Sequence, residues 1–187
     1  MPVSITRLSI PGAFVAEPNC FRDERGWFFE SWRENDYLAA GVTEPFVQDN
    51  VSVSQANVVR GLHYQAREAQ GQMVTIVRGR VFDVLVDLRR GSPTFGRAET
   101  FVLDDTAPRQ LYMPAGVAHG FCVLSETAAL HYKCTRYYRA DTERGVRWND
   151  PDIAIAWPVS APILSERDAA YPRLRDVPEA DLPHLGV

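Results

Sequence analysis

Short segments in which apolar and polar residues alternate fill most of the chain between residues 26 and 137. Val, Phe, Tyr and Thr are frequent in them, and these side chains suit a pleated, half-buried surface. Turn-forming residues separate the segments, as at Arg78-Gly79 and Pro114-Ala115-Gly116. The pattern predicts strands over Gly26–Trp32, Val47–Ser54, Val58–Tyr64, Met73–Arg78, Arg80–Leu88, Arg97–Leu103, Gln110–Met113, Gly120–Leu124 and Ala129–Tyr137.

Helical patterns are brief. Glu34–Ala40 precedes Gly41, a residue typical of a helix C-terminus, and Ser165–Ala170 begins with a residue suited to an N-cap. The tail after Tyr171 is rich in proline and charge, and we expect it to be a loop packed on the surface. Many short strands with few short helices predict an all-β fold, a sandwich or a barrel.

Composition adds limits on function. The 187 residues show no linker, repeat or low-complexity run, so we expect one domain over residues 1–187. A net charge of −4 disfavours nucleic acid as a partner. The first residues do not have the pattern of a signal peptide, and no segment has the length and hydropathy of a membrane span. The three cysteines follow no disulfide or zinc pattern, which predicts free thiols in the cytoplasm.

The first candidate for chemistry is the segment around Arg60 and His63. Residues three apart on a regular strand face opposite sides of a sheet. Gly61 lies between them and predicts a β-bulge that turns one side chain toward the other's face. Taken alone, a histidine here is more often a hydrogen-bonded core residue than a functional one.

The segment from Pro114 to His119 has the form PxGxxH, which resembles the second motif of the cupins. Many cupins bind a metal through an HxH pair in their first motif. Here Gln65 stands where the second histidine of that pair would be, after His63. A site with two histidines and no well-placed carboxylate is a poor metal site, so we expect no metal.

Two further residues allow both a structural and a chemical role. Ser165 followed by Asp168 fits a helix capping motif, but Asp168 could instead orient a histidine. Tyr132 lies on a strand rich in aromatic residues. It could be a packing residue or a general acid, and the strand pattern does not choose between them.

Together these segments closely resemble the dTDP-4-dehydrorhamnose 3,5-epimerase family, and the resemblance covers nearly the whole chain. It rests on Asp23–Glu30, Gln48–Ser52, Arg60–Gln65, Phe82–Val84, Gly91–Gly96, Ala118–Phe121, Trp148–Pro151, Trp157–Pro158 and Leu164–Asp168. The resemblance implies a cupin-type double-stranded β-helix (jelly roll), a homodimer and a dTDP-linked 4-keto-6-deoxyhexose as substrate, without a cofactor.

The resemblance also implies roles for individual residues. His63 corresponds to a base that removes a proton beside the C4 ketone, Asp168 to its partner, and Tyr132 to an acid on the opposite face of the sugar. Arg25 and Arg167 match positions that hold the diphosphate. The full set of expected substrate-binding residues is Arg25, Glu30, Gln48, Asp49, Asn50, Arg60, Gln72, His119, Tyr138, Glu143 and Arg167.

One position departs from the family pattern. The segment Gln70-Gly71-Gln72 has a glutamine where the pattern has a lysine that helps to bind the 4-keto oxygen. Gln72 can donate a hydrogen bond but carries no charge. This departure favours epimerisation at only one carbon, C3 or C5, over double epimerisation.

Three other functions remain open at this point. A ketoisomerase would use the same enolate chemistry on a related nucleotide sugar. A catalytically inert cupin would bind a sugar nucleotide, although the joint presence of His63, Tyr132 and Asp168 speaks against it. A metal-dependent cupin dioxygenase would require the metal site that we do not expect.

Overall fold

The computed structural model describes residues 3–186, and nearly all of its regular structure is β-strand. Two α-helices, α1 (Glu34–Ala40) and α2 (Glu166–Ala170), and two 3₁₀ helices, Leu174–Asp176 and Glu179–Asp181, complete it. The strands are β1 (Ser4–Arg7), β2 (Phe14–Glu17), β3 (Cys20–Asp23), β4 (Gly26–Phe29), β5 (Gln48–Gln55), β6 (Val59–Gln65), β7 (Gln72–Arg78), β8 (Arg80–Asp87), β9 (Ala98–Asp104), β10 (Gln110–Met113), β11 (Val117–Val123), β12 (Thr127–Cys134) and β13 (Glu143–Gly145).

The strands form two antiparallel sheets packed face to face. One has six strands in the order β1-β2-β10-β7-β12-β5, and the other has five in the order β13-β6-β11-β8-β9. Strands distant in sequence are neighbours in both sheets, as in a jelly roll. The predicted all-β, cupin-type fold is therefore confirmed. β3 and β4 form a separate hairpin.

Apolar side chains fill three regions. The central one lies between the sheets and includes Val74, Leu85 and Leu130. A second cluster, which includes Tyr37 of α1, packs on the outer face of the six-stranded sheet. A third, on the five-stranded sheet, is covered in part by Leu182. Both sheets therefore bury apolar surface on two sides, which fixes their positions relative to each other.

The predicted strands are present, with ends shifted by a few residues, and both helices are present as predicted. The pattern missed β1, β2, β3 and β13, which have only three or four residues each. Segments this short contain too few positions for a period to be recognised. The tail packs on the surface as expected, with Leu174, Val177 and Leu182 against the third cluster, but it also contains two 3₁₀ helices that the pattern did not predict.

The predicted bulge at Gly61 is present in β6. His63 pairs with His119 and Arg60 pairs with Phe121, so β6 uses one more residue than β11 between these pairs. Gly61 has a φ of +111°, and a Cβ there would lie 2.6 Å from the Cα of Gly120. Only glycine allows this close approach of the two strands. The extra residue lets Arg60 and His63 line the same cavity.

Candidate active site

A cavity of about 360 Å³ lies between the two sheets, where polar side chains replace the apolar core. The six-stranded sheet contributes residues from β5, β7 and β12, and the five-stranded sheet contributes residues from β6, β11 and β13. Ten of the residues expected from sequence line it: Gln48, Asn50, Arg60, His63, Gln72, His119, Tyr132, Tyr138, Glu143 and Arg167. Asp168 is not part of the cavity lining but contacts the imidazole of His63.

His63 and Asp168 are in direct contact. Nε2 of His63 is 2.5 Å from Oδ1 of Asp168, whose side chain is only 4% exposed. Burial raises the pKa of Asp168, but the hydrogen bond and charge of His63 and the bond from Ser165 outweigh this, and the pKa lies below its ordinary value. The backbone N–H of Asp168 also donates to Oγ of Ser165 at 3.1 Å. Asp168 therefore takes part in the helix cap and is also the hydrogen-bond partner of His63.

The contact fixes the tautomer of His63. An ionised carboxylate can only accept hydrogen bonds, so Nε2 of the neutral imidazole must carry the proton. The lone pair is then on Nδ1. A ring held in this way presents one basic nitrogen in a defined direction.

Tyr132 enters the cavity from β12, on the opposite sheet from His63. Burial raises the pKa of its phenol above the ordinary value. The hydroxyl therefore stays protonated at neutral pH and can donate a proton or a hydrogen bond.

A second histidine–carboxylate pair lies beside the first. Nε2 of His119 is 3.0 Å from both carboxylate oxygens of Asp83, which is fully buried on β8. The sequence interpretation missed Asp83. Its signal was available, because Asp83 is a carboxylate within the otherwise apolar run Val81–Val86. Such a residue is rarely buried without a partner.

The cations and amides of the cavity are distributed unevenly. Nε of Arg60 donates to Oγ of the buried Ser54 at 3.0 Å, which holds the guanidinium in place. Nε2 of Gln72 is 3.3 Å from Oε1 of Gln70. The side of the cavity near Gln72 therefore offers neutral amides rather than a positive charge.

A linked set of polar groups surrounds Tyr138 at one side of the cavity. The hydroxyl of Tyr138 donates to Oε2 of Glu143 at 2.8 Å, and Arg167 pairs with the same carboxylate. The backbone N–H of Tyr138 donates to Oε1 of Gln48 at 2.8 Å. Gln48 in turn donates to Asn50 at 2.9 Å. The aromatic ring is thereby fixed while it remains exposed.

Three expected substrate-binding residues do not line this cavity. Asp49 lies on the outer face of β5, where it pairs with Lys133, because successive strand residues face opposite sides. Arg25 pairs with Asp23 at the turn of the β3–β4 hairpin. Glu30 follows β4 and pairs with Arg33. In this structure strand alternation turns the side chain of Asp49 away from the cavity.

The cavity also contains polar groups to which the sequence interpretation gave no role in binding or catalysis. Oγ of Ser52 and Nε2 of Gln65 are buried, and neither has a hydrogen-bond partner in the part of the chain that the structure describes. Oε1 of Gln65 accepts a bond from Thr142. Ser52 follows Gln48 and Asn50 at every second position of β5, so strand alternation was the signal that could have found it.

Within residues 3–186, no group of three or more His, Cys, Asp or Glu side chains is placed to hold a metal ion. In the same range, no helix has the length and apolar character needed to cross a bilayer. Cys20, Cys122 and Cys134 are free thiols, and Cys134 lines the cavity.

Comparison with known proteins gives consistent matches. A family model described as dTDP-4-dehydrorhamnose 3,5-epimerase matches residues 7–176. The dTDP-4-dehydrorhamnose 3,5-epimerase of Pseudomonas aeruginosa is 52% identical over 165 residues, which cover 87% of this chain and 91% of that protein.

Two solved structures with different named activities are similar to this chain. The Legionella pneumophila dTDP-6-deoxy-D-glucose-3,5-epimerase, in complex with dTDP-4-keto-L-rhamnose, is 43% identical with a TM-score of 0.95, and covers 99% of this chain and 100% of that one. A 3′-monoepimerase from Streptomyces bikiniensis, in complex with dTDP-quinovose, is 38% identical with a TM-score of 0.85, and covers 90% and 86%. From the family-model match and these identities, the chain belongs to the dTDP-4-dehydrorhamnose 3,5-epimerase family.

Proposed function

We propose that the protein is an isomerase that epimerises a dTDP-linked 4-keto-6-deoxyhexose at C3, C5 or both. One observation carries this proposal. His63 and Tyr132 enter one cavity from opposite sheets, so a sugar ring between them meets a base on one face and a protonated phenol on the other. This arrangement allows a proton to leave from one face of a carbon and return to the other, which inverts it.

The first step is removal of a proton by His63. A ketone at C4 makes the C–H bonds at C3 and C5 acidic, because the resulting carbanion is delocalised as an enolate. Nδ1 of His63 takes the proton, and the C–H electron pair moves toward the C4 oxygen. Asp168 then lies against the imidazolium and stabilises the charge that has formed.

The second step returns a proton from the other side. Tyr132 donates its phenolic proton to the opposite face of the carbon, and the enolate collapses to the ketone. A tyrosine phenol is protonated at neutral pH, and burial raises its pKa further, so the proton is present for this step. Exchange of His63 and Tyr132 with solvent then restores the starting protonation state.

Between the two steps the enolate oxygen needs hydrogen-bond donors. Arg60 and His119 are both held in place by buried partners, Ser54 and Asp83. Gln72 adds a neutral donor. Because the donor at Gln72 lacks charge, we propose that one of the two deprotonations is slow and that the protein is a mono-epimerase in practice.

The polar set around Tyr138 supports a nucleotide at that side of the cavity. An exposed aromatic ring provides a stacking surface for a base, and Arg167 is suited to a diphosphate. Gln48, Asn50 and Glu143 complete this end of the site.

We also propose that the protein is a homodimer. Apolar side chains are exposed on the β3–β4 hairpin, where Phe28 is 66% exposed, and on the outer face of β5, where Val51 is 67% exposed. Exposed apolar patches of this kind indicate an interface. Arg25, 85% exposed at the tip of the hairpin, would then reach the cavity of the second copy, and Glu30 would follow it.

Three further parts of the proposal concern the chain as a whole. We infer one domain over residues 1–187, since the tail packs on the same sheet that carries His63. The donor set around the enolate supports a reaction without metal or cofactor. The three free thiols support a cytoplasmic location.

We expect His63→Asn to abolish proton exchange at C3 and C5, with a loss of about 10²-fold or more. Exchange is measured by NMR in deuterium oxide with dTDP-4-keto-6-deoxyglucose, and binding of dTDP by calorimetry should stay unchanged. His131→Asn is the matched control, because His131 lies beside Asp49 outside the cavity. Exchange at the wild-type rate in His63→Asn would overturn the assignment of the base.

Asp168→Asn should reduce turnover by about 10²-fold, because the amide no longer fixes the tautomer of His63. The matched control is Ser165→Ala, which removes the helix cap but keeps the carboxylate. It should cost about 1 kcal/mol of stability and little activity. If Asp168→Asn behaves like Ser165→Ala, with a lower melting temperature and normal turnover, Asp168 is only a cap.

Gln72→Lys should raise exchange at the slower carbon by about tenfold or more, since a charge-assisted hydrogen bond is stronger than a neutral one. Gln72→Met, which removes the donor, should slow both carbons. The position-resolved deuterium assay reports each carbon separately. Comparable wild-type rates at C3 and C5, with no gain in Gln72→Lys, would show that glutamine is a neutral replacement.

Arg25→Ala and His63→Asn should complement each other in mixed dimers. One hybrid site then combines an intact His63 with the Arg25 of the second copy, so co-expressed chains recover activity that neither variant has alone. Light scattering on the purified protein gives the mass of the assembly. A monomeric mass, or no recovery in proven hybrids, would contradict the proposed dimer.

A further inference from the structure

The segment that carries Asp168 to His63 has little apolar contact of its own. α2 has five residues, and Asp168 is its one buried residue. A helix this short is not stable by itself and must be held by its surroundings. What holds α2 therefore decides where the carboxylate lies.

Backbone hydrogen bonds anchor the segment on both sides of α2. Before the helix, the N–H of Val59 donates to the carbonyl of Ile163 at 3.0 Å. After it, the N–H of Arg147 donates to the carbonyl of Pro172 at 2.8 Å. The first anchor joins the segment to β6, which carries His63. The second joins it to the chain just after β13, which carries Gly145.

Tyr171, directly after α2, fills the space above Gly145. A Cβ on Gly145 would lie 2.5 Å from both Cδ2 and Cζ of the Tyr171 ring, a distance that real side chains do not allow. Gly145 pairs directly with His63 in the sheet. Because Gly145 has no side chain, the ring of Tyr171 can occupy that space beside His63.

The same ring contacts His63. The ring centroids are 5.7 Å apart with an angle of 70° between the planes, which is an edge-to-face contact. His63 is therefore held at two points, by Asp168 at Nε2 and by the ring of Tyr171. Both contacts come from the same segment, three residues apart.

We propose that Tyr171 is a positioning residue for His63, and that Gly145 is required because the ring of Tyr171 occupies its side-chain space. This inference rests on the proposed function of His63 as the base. The ring limits rotation of the imidazole and holds α2 at the distance at which Asp168 bonds to Nε2. The phenolic hydroxyl is not needed for this role.

Tyr171→Phe keeps the ring and should retain kcat within about twofold. Tyr171→Ala removes it and should lower kcat on the order of 10- to 100-fold with little change in KM, because small errors in the position of a base are costly. A lower melting temperature with normal kcat in Tyr171→Ala would overturn the proposal. Equal losses in the two variants would also overturn it, since the hydroxyl and not the ring would then be the active part.

A double-mutant cycle tests the contact with Gly145. Gly145→Ala alone should reduce kcat by displacing the ring, whereas Gly145→Ala added to Tyr171→Ala should cause no further loss. Equal effects of Gly145→Ala in both backgrounds would show that the contact does not position the base.

A measurement without substrate separates this inference from the proposed function. Nitrogen-15 NMR of the His63 imidazole reports its tautomer and its titration in the wild type, Tyr171→Phe and Tyr171→Ala. We expect the first two to agree and Tyr171→Ala to lose the fixed Nε2–H tautomer. An unchanged imidazole spectrum in Tyr171→Ala would contradict the positioning role. Absence of exchange in the wild type would instead contradict the proposed reaction.

Discussion

Face-to-face packing of the two sheets is the constraint on which the rest of the structure depends. Each strand turns alternate residues inward, so the inner faces meet over the whole length of the sandwich. Where the inward residues are apolar, as at Val74, Leu85 and Leu130, they form the core. Where they are polar, as at Asn50, Ser52 and His63, they leave a cavity. The apolar core therefore sets the distance between the two sheets. This distance in turn sets the width of the cavity.

Both histidines of the cavity are supported by carboxylates that are almost completely buried. Burial of a carboxylate is costly unless hydrogen bonds compensate for it. Asp83 meets this need through His119, and Asp168 through His63. The two carboxylates come from different surroundings, a central strand and a short helix. The first is fixed by the core, whereas the second depends on how the segment after Ile163 is anchored.

The positive groups of the cavity are few. Arg60 is held by Ser54, and Arg167 is paired with Glu143, while amides line the region near Gln72. The reaction proposed above would therefore depend on oriented hydrogen-bond donors more than on net charge to stabilise its enolate. The solved structures similar to this chain include both a 3,5-epimerase and a 3′-monoepimerase.

The sequence by itself determined the fold class and most of the strands, and its resemblance to a known family pointed to half of the residues that line the cavity. Alternation, turn residues and short motifs are local properties, and the bulge at Gly61 could be expected from its neighbours alone. Short strands such as β13 could not, because they form only by pairing with a neighbour. The tertiary structure decided that Asp83 supports His119, that Asp49 faces outward, and that Tyr171 lies over Gly145 against His63. These relations join residues far apart in the chain, and their geometry is set by the packing of the two sheets and of the segments on them, which no local pattern encodes.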